Sequence, residues 1–283
     1  MHFKSILTVV TDRGLADQAV AVAAAIAVQQ DGHLDVLALG ADEMQPGYSY
    51  IGAGAPMMDW SVQQAEQDAN AAAKAARSTL NGQPANLRWS LETAVTVMGR
   101  ASALIGDKAT FADLVVQPAP QDKPGRILAE AVIEAALFQG NAPVLIVPPG
   151  VDLSRVAAPR RIILAWNQSN EALNAAKRAL PLLKAAEIVD VTVVDPPATG
   201  AERSDPGGPL CQFLARHGVR VKVTVLARSM PKVSDALAQH ALDCDADLLV
   251  MGAYGHSRLR EAVLGGATRD ILQSTRLPVL MAH

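Results

Sequence analysis

The chain has 283 residues, 50% of them hydrophobic and 19% charged, enough to bury one large core or two ordinary ones. A formal net charge of -3, a pI of about 6.1 and an aromatic content of 4% supply neither a basic field for a polyanion nor stacking platforms for exposed bases, which disfavours nucleic-acid binding. Cores so poor in aromatics must be filled by Ala, Val, Leu and Ile, the mix found where helices pack on parallel strands.

Only Cys211 and Cys244 are present, both in segments that read as helix, which argues against a secreted disulfide scaffold and for a reducing compartment. The start, Met1 to Val10, lacks the long apolar core of a signal peptide, and the run Ala19 to Val28 is too short to span a bilayer. The expectation is a cytoplasmic protein with no membrane partner.

Short β-branched runs alternate with longer Ala-rich segments of helical period, the pattern of βαβ units and a parallel sheet, and the pattern runs through twice. The first pass predicts strands near Ser5 to Val10, Leu34 to Leu39, Leu87 to Leu91, Leu114 to Gln117 and Val144 to Val147. The second predicts strands near Arg161 to Trp166, Val189 to Val194, Arg220 to Val225, Leu248 to Met251 and Val279 to Ala282.

Register supports the repeat. Ile6 aligns with Ile162 and Asp35 with Asp190 at offsets of 156 and 155, whereas Asp113 aligns with Asp247 and Pro143 with Pro278 at 134 and 135. About 21 extra residues therefore lie between the second and third strands of the first half. Gly40 to Trp60, rich in Gly, Pro, Met and Tyr, reads as an inserted loop. Pro148-Pro149-Gly150 and Ala157-Ala158-Pro159 mark a linker, giving domains over residues 1–148 and 160–283.

Charge divides unevenly between the halves. Residues 1–150 hold 9 Lys or Arg against 15 Asp or Glu, and residues 151–283 hold 16 against 13, so an anion is better received by the second half.

The most informative stretch runs from Gly252 through Gly255, Gly265 and Gly266 to Thr268, after the predicted strand Leu248 to Met251 and into a helix. Gly252 and Gly255 let the backbone approach a ligand closely or adopt positive φ, and the amides opening the helix after Gly265 can receive an anion. Arg258, Arg260 and Arg269 surround the loop with charge-assisted donors, or are simply solvated.

The spacing Gly252, two residues, Gly255, nine residues, Gly265, followed by Pro278-Val279-Leu280, resembles the nucleotide-binding signature and last strand of the universal stress protein family. With the five-strand pattern present twice, the resemblance covers nearly the whole chain. It implies two tandem doubly wound five-stranded parallel sheets of order 3-2-1-4-5, a Rossmann-like α/β fold of the adenine nucleotide alpha hydrolase kind. A ligand crevice is then expected where the strand order reverses.

The resemblance further implies nucleotide-binding positions at Asn167, Val194, Met251, Gly252, Gly255, His256, Arg258, Gly265, Gly266, Ala267 and Thr268, with ATP or AMP as ligand and Mg as its companion ion. It also implies a pseudo-dimer of the two halves through their last strands, Val144 to Val147 against Val279 to Ala282, open to further homodimerisation. Two positions depart from the family pattern: Gly266 stands where a Ser or Thr is usual, and Asn167 where an Asp is usual. Thr268 and the backbone amides remain as phosphate partners, and Asn167 still offers a carbonyl and an amide to adenine.

In the first half the equivalent stretch, Gln117 to Ile127, has prolines in place of the glycines, and Pro118 removes a donor. Asp12, or Thr11 before it, stands at the adenine-contact position without a phosphate cradle. This half is expected not to bind.

Other motifs are poorer. Gly255-His256-Ser257-Arg258-Leu259 fails the nucleophile-elbow pattern at Leu259, there is no P-loop sequence, and Gly52-Ala53-Gly54 is too short for a dinucleotide fingerprint. His240 and Cys244, four apart with Asp243 and Asp245 nearby, offer the spacing of two metal ligands, but read more simply as a helix end with a buried thiol and no metal. Trp166 either walls an adenine pocket or caps the core.

The leading expectation is a stress-responsive protein whose second half binds ATP or AMP as a regulatory ligand, with no catalytic residue and at most slow hydrolysis. The alternatives are a nucleotide-independent scaffold for protein partners, docking through the Gly40 to Trp60 loop, and a slow nucleotide hydrolase.

Overall fold

The computed structural model describes residues 2–42, 55–121, 125–196, 205–227, 230–255 and 266–283. The chain divides into two compact units, His2–Val144 and Leu145–His283.

In the first unit, β1 (Ser5–Val10), β2 (His33–Asp42), β3 (Arg88–Val97) and β4 (Leu114–Pro118) form a parallel sheet of order β3-β2-β1-β4. Just before β5 (Val144–Val147), at the end of this unit, the Pro143 carbonyl accepts from the Val115 amide of β4 at 2.9 Å. Helices α1 (Arg13–Gln30), α2 (Ala55–Asn81), α3 (Met98–Ala109) and α4 (Arg126–Phe138) make the crossovers that parallel pairing requires.

Small side chains let helix and strand approach. The buried face of α1 is Ala19, Val20, Ala23, Ala24, Ile26 and Ala27, all without solvent contact or nearly so. Gly40 on β2 is forced by the same closeness: a Cβ there would stand 1.9 Å from the Ala65 carbonyl oxygen of α2. No larger residue fits.

The second unit repeats the plan. After α5 (Leu153–Ala157) come β6 (Arg161–Ala165), α6 (Asn170–Arg178), α7 (Leu180–Ala185), β7 (Ile188–Val194), α8 (Gly208–Arg216), β8 (Val221–Leu226), α9 (Val233–Asp243), β9 (Leu248–Gly252), α10 (Ala267–Ser274) and β10 (Val279–Ala282). All pairings are parallel, in the order β10-β9-β6-β7-β8.

Register matches between the units at the offsets read from sequence. Ile6 faces Leu34 and Leu114, and Ile162 faces Val189 and Leu248. The extra length in the first unit lies largely in a helix. Gly40 belongs to β2 and Trp60 to α2, which has 27 residues against nine in α8, so the loop expected over Gly40 to Trp60 is narrower than that, and residues 43–54 lie outside the described residues. Among the described residues no helix is long and apolar enough to cross a membrane.

Candidate functional site

In the second unit the strand order reverses at β6, whose neighbours β7 and β9 depart in opposite directions, and the carboxyl ends of β6 and β9 flank the crevice. Beyond β6 the backbone stays in register for one more residue, the Trp166 amide donating to the Thr192 carbonyl at 2.9 Å. Gln168 then turns through the left-handed region at φ 64°. The Trp166 indole Nε1 is buried with no hydrogen-bond partner among the described residues.

Asn167 is exposed, and its carboxamide oxygen accepts from the Ser169 amide at 3.2 Å, closing an Asx turn. Ser169 caps α6 in turn, its hydroxyl accepting from the Ala172 amide at 3.1 Å. The adenine carbonyl contact expected of Asn167 is therefore already engaged, leaving its amide group as donor. Val194 ends β7 beside Leu226, half-buried.

Gly252 is set by crowding rather than by an unusual φ. Its added Cβ would lie 2.6 Å from the Ala172 amide nitrogen and 2.7 Å from the Glu171 carbonyl carbon, because the first turn of α6 leans on the end of β9. Met251 before it is buried. Of the amides that follow, Ala253 donates to the Ala282 carbonyl at 2.8 Å and Tyr254, at φ 55°, donates to the Thr268 hydroxyl oxygen at 3.1 Å. Among the described residues of the loop the left-handed one is thus Tyr254, not a glycine. Thr268 is 3% exposed, a latch between strand end and helix rather than an open side chain.

Gly266 is the N-cap of α10, in extended conformation, and no side chain caps the first turn. Ala267 and Thr268 open that turn, where the amides of a helix have no partner within the helix itself. His256, Arg258 and Gly265 lie outside the described residues, as does Arg260, while Arg269 is exposed. On the far side of the same helix start Lys232 pairs with Asp270 at 2.8 Å, a bond that raises the ammonium pKa above its usual value.

Sequence reasoning missed Glu171. Its carboxylate oxygen comes within 3.2 Å of the position a Cβ on Gly255 would take, so a negative charge stands at the glycine loop. The signal was local: Ser169 as N-cap with an acidic residue in the first turn of α6.

The first unit offers less. The Asp12 carboxylate caps α1, accepting from the Gly14 amide at 2.8 Å, and Pro118 closes β4. Gly125 precedes α4 at φ 91° with no side-chain cap, and residues 122–124 lie outside the described residues.

Residues 159–283 match the model of the universal stress protein family. These residues are a universal stress protein domain. The universal stress protein Slr1230 of Synechocystis is 37% identical over 69 residues, which span 24% of this chain and 23% of that protein. A universal stress protein of Archaeoglobus fulgidus has the same fold over 99% of this chain and 97% of its own, at TM-score 0.68 and 15% identity. A protein described as a putative universal stress protein of Pseudomonas aeruginosa UCBPP-PA14 covers 99% and 93% at TM-score 0.57 and 15% identity. The fold of the universal stress protein domain is thus repeated in tandem along the chain.

Proposed function

We propose that the universal stress protein domain at residues 159–283 holds an adenine nucleotide, ATP or AMP, as a regulatory ligand in a stress response, and that the first unit does not bind. The observation that carries this reading is the uncapped start of α10 opposite the crowded Gly252. There the amides of Ala267 and Thr268 and the positive helix end suit a phosphate.

In this reading the base lies toward Asn167, Val194 and Met251, with the Asn167 amide as donor to a ring nitrogen. Gly255, Gly265 and Gly266 give the phosphates room to approach the backbone, and His256 and Arg258 lie along the glycine loop. Mg accompanies ATP by neutralising phosphate charge next to Glu171. The chain's own residues supply binding and orientation, and no catalytic residue is assigned. The pseudo-dimer of the two units and a cytoplasmic location belong to the same proposal.

Calorimetry of the full chain with ATP, ADP and AMP, with and without Mg, tests it. Binding in the micromolar to low-millimolar range, abolished by Gly266→Asp, is the expected result, because a carboxylate at the N-cap takes the amides a phosphate needs. No heat at millimolar nucleotide leaves the scaffold reading, which the engaged Asn167 oxygen and Thr268 hydroxyl favour.

A further inference from the structure

A second cluster lies near the amino ends of the strands, away from the nucleotide crevice and independent of it. Asp190 is the third residue of β7, His240 sits in the last turn of α9 and Cys244 is the C-cap of that helix. One ligand atom from each lies within 4.8 Å of the others. We propose that Asp190, His240 and Cys244 bind a divalent transition metal ion of the zinc type.

The separations suit such an ion. His240 Nε2 is 3.1 Å from Asp190 Oδ2, and Cys244 Sγ is 3.7 Å from the same nitrogen. A tetrahedral zinc ion with ordinary bond lengths sets those edges at about 3.4 Å and about 3.6 Å. The sulfur is nearly equidistant from the two ring nitrogens, at 3.7 and 3.8 Å, so it lies off the in-plane lone pair of either and no ordinary thiol-imidazole hydrogen bond accounts for its place. Ligation needs one adjustment, a turn of the imidazole that brings the Nε2 lone pair toward sulfur.

Asp190 supplies the independent observation. It is 4% exposed, and its Oδ1 is buried with no partner among the described residues, although Oδ2 is crowded by Thr224 Oγ1 at 3.0 Å, Lys222 Nζ at 3.0 Å and His240. A carboxylate oxygen left bare in a buried position is costly, and an ion held at Oδ2 neutralises the charge that the two oxygens share. A cavity of about 350 Å³, lined by Asp190, Cys244 and Asp243 with the cationic side chains of Arg161 and Lys222, reaches two of the three ligands.

The first unit serves as an internal control. Asp35 occupies the place of Asp190, paired in register with Ser90 as Asp190 is with Lys222, and Ser90 Oγ donates to it at 2.5 Å. The helix positions matching His240 and Cys244 are Gly106 and Thr110, the latter again the C-cap of its helix. The aspartate there is half-exposed, its neighbouring nitrogen being His33 Nε2 of the same strand, 3.5 Å from Oδ1. The second unit buries the carboxylate and brings a helix histidine and a thiol to it.

One thiolate, one imidazole and one carboxylate form a donor set for zinc, with water completing the tetrahedron. On binding, the Cys244 thiol proton passes to solvent as the metal-sulfur bond forms, and neutral His240 ligates through Nε2. Lys222, 52% exposed at its side chain, swings away from Asp190 Oδ2. The two anionic ligands balance the ion's charge.

Titrating the chelator-treated full-length protein with Co²⁺ and recording its absorption tests the site. The expected result is one equivalent bound, with tetrahedral d–d bands in the visible and a thiolate-to-cobalt charge-transfer band in the near ultraviolet. Cys211→Ala keeps the charge-transfer band, Cys244→Ser loses it, and His240→Ala weakens binding about hundredfold. Lys222→Gln, which removes a competing cation, tightens binding about fivefold. A wild-type protein with no thiolate band at millimolar Co²⁺ overturns the proposal whatever the variants do. A band that survives Cys244→Ser, a band lost in Cys211→Ala, or weaker binding in Lys222→Gln overturns it equally.

Discussion

Asp113 and Asp247 do the same work in the two units: each carboxylate receives two consecutive amides where the first strand of its unit begins. Asp113 Oδ2 accepts from Lys4 at 2.8 Å and Ser5 at 3.0 Å, and Asp247 Oδ2 from Arg160 at 2.7 Å and Arg161 at 2.9 Å. Their surroundings differ. Asp113 is exposed, whereas Asp247 is buried and also bonded by Arg155 Nε from α5.

Asp247→Ala is therefore expected to cost about 2–4 kcal/mol and Asp113→Ala about 1–2 kcal/mol, since hydrogen bonds to a charged group weigh most where water cannot replace them. Equilibrium urea denaturation of the two variants side by side reads the difference. Equal losses would mean that burial does not set the cost.

Acid sensitivity follows from Arg155. Its guanidinium donates to Asp245 Oδ1 at 2.9 Å, and that hydrogen bond, with the attraction of the charge behind it, holds the Asp245 carboxyl below its usual pKa. A depressed folded-state value means a stabilising contribution that is fully present above the unfolded carboxylate pKa and is lost as pH falls through the folded value. Carboxyl titration by NMR should show Asp245 returning to the ordinary range in Arg155→Met, with acid unfolding starting at higher pH.

Glu171→Gln should tighten ATP binding about threefold to tenfold, because it removes a negative charge beside the glycine loop. The gain should shrink for AMP, which brings less phosphate charge, and shrink again at high salt. Calorimetry at two ionic strengths checks both; an unchanged affinity would place the phosphates away from Gly255.

Thr268→Val keeps the side-chain shape but strands the Tyr254 amide. A loss of about 1–2 kcal/mol in stability is expected, accompanied by weaker nucleotide binding as the start of α10 loosens. Hydrogen exchange at the Tyr254 amide would rise. Unaltered exchange there would show that this bond contributes nothing.

Cys211 should react slowly with alkylating reagents. Burial, followed by the nearby charges of Asp205 and Asp190, pushes its thiol pKa up, so the thiolate that reacts is scarce at neutral pH. Mass spectrometry of Cys244→Ser treated with iodoacetamide across pH 7 to 9 should show labelling at Cys211 later than for a free thiol.

The repeated α/β plan was legible because it rests on local signals: β-branched runs, Ala-rich helices, and paired positions such as Ile6 with Ile162. The added length was harder to place, since a longer α2 and a longer loop shift the register equally. At the crevice Gly252 read as room for a ligand to approach the backbone, whereas the closeness the structure shows there is to the first turn of α6. What sequence could not convey was which polar atoms are already engaged. Asn167 and Thr268 read as open partners until the Ser169 and Tyr254 amides are seen on them. Likewise His240 and Cys244 showed two ligands at helical spacing, but Asp190 arrives from a strand fifty residues earlier, a proximity only the fold creates.

The bond between Tyr254 and Thr268 ties the end of β9 to the first turn of α10. Two elements that follow one another in the chain thus share one anchor, so any change that withdraws the threonine hydroxyl is felt at the strand end and at the helix start together.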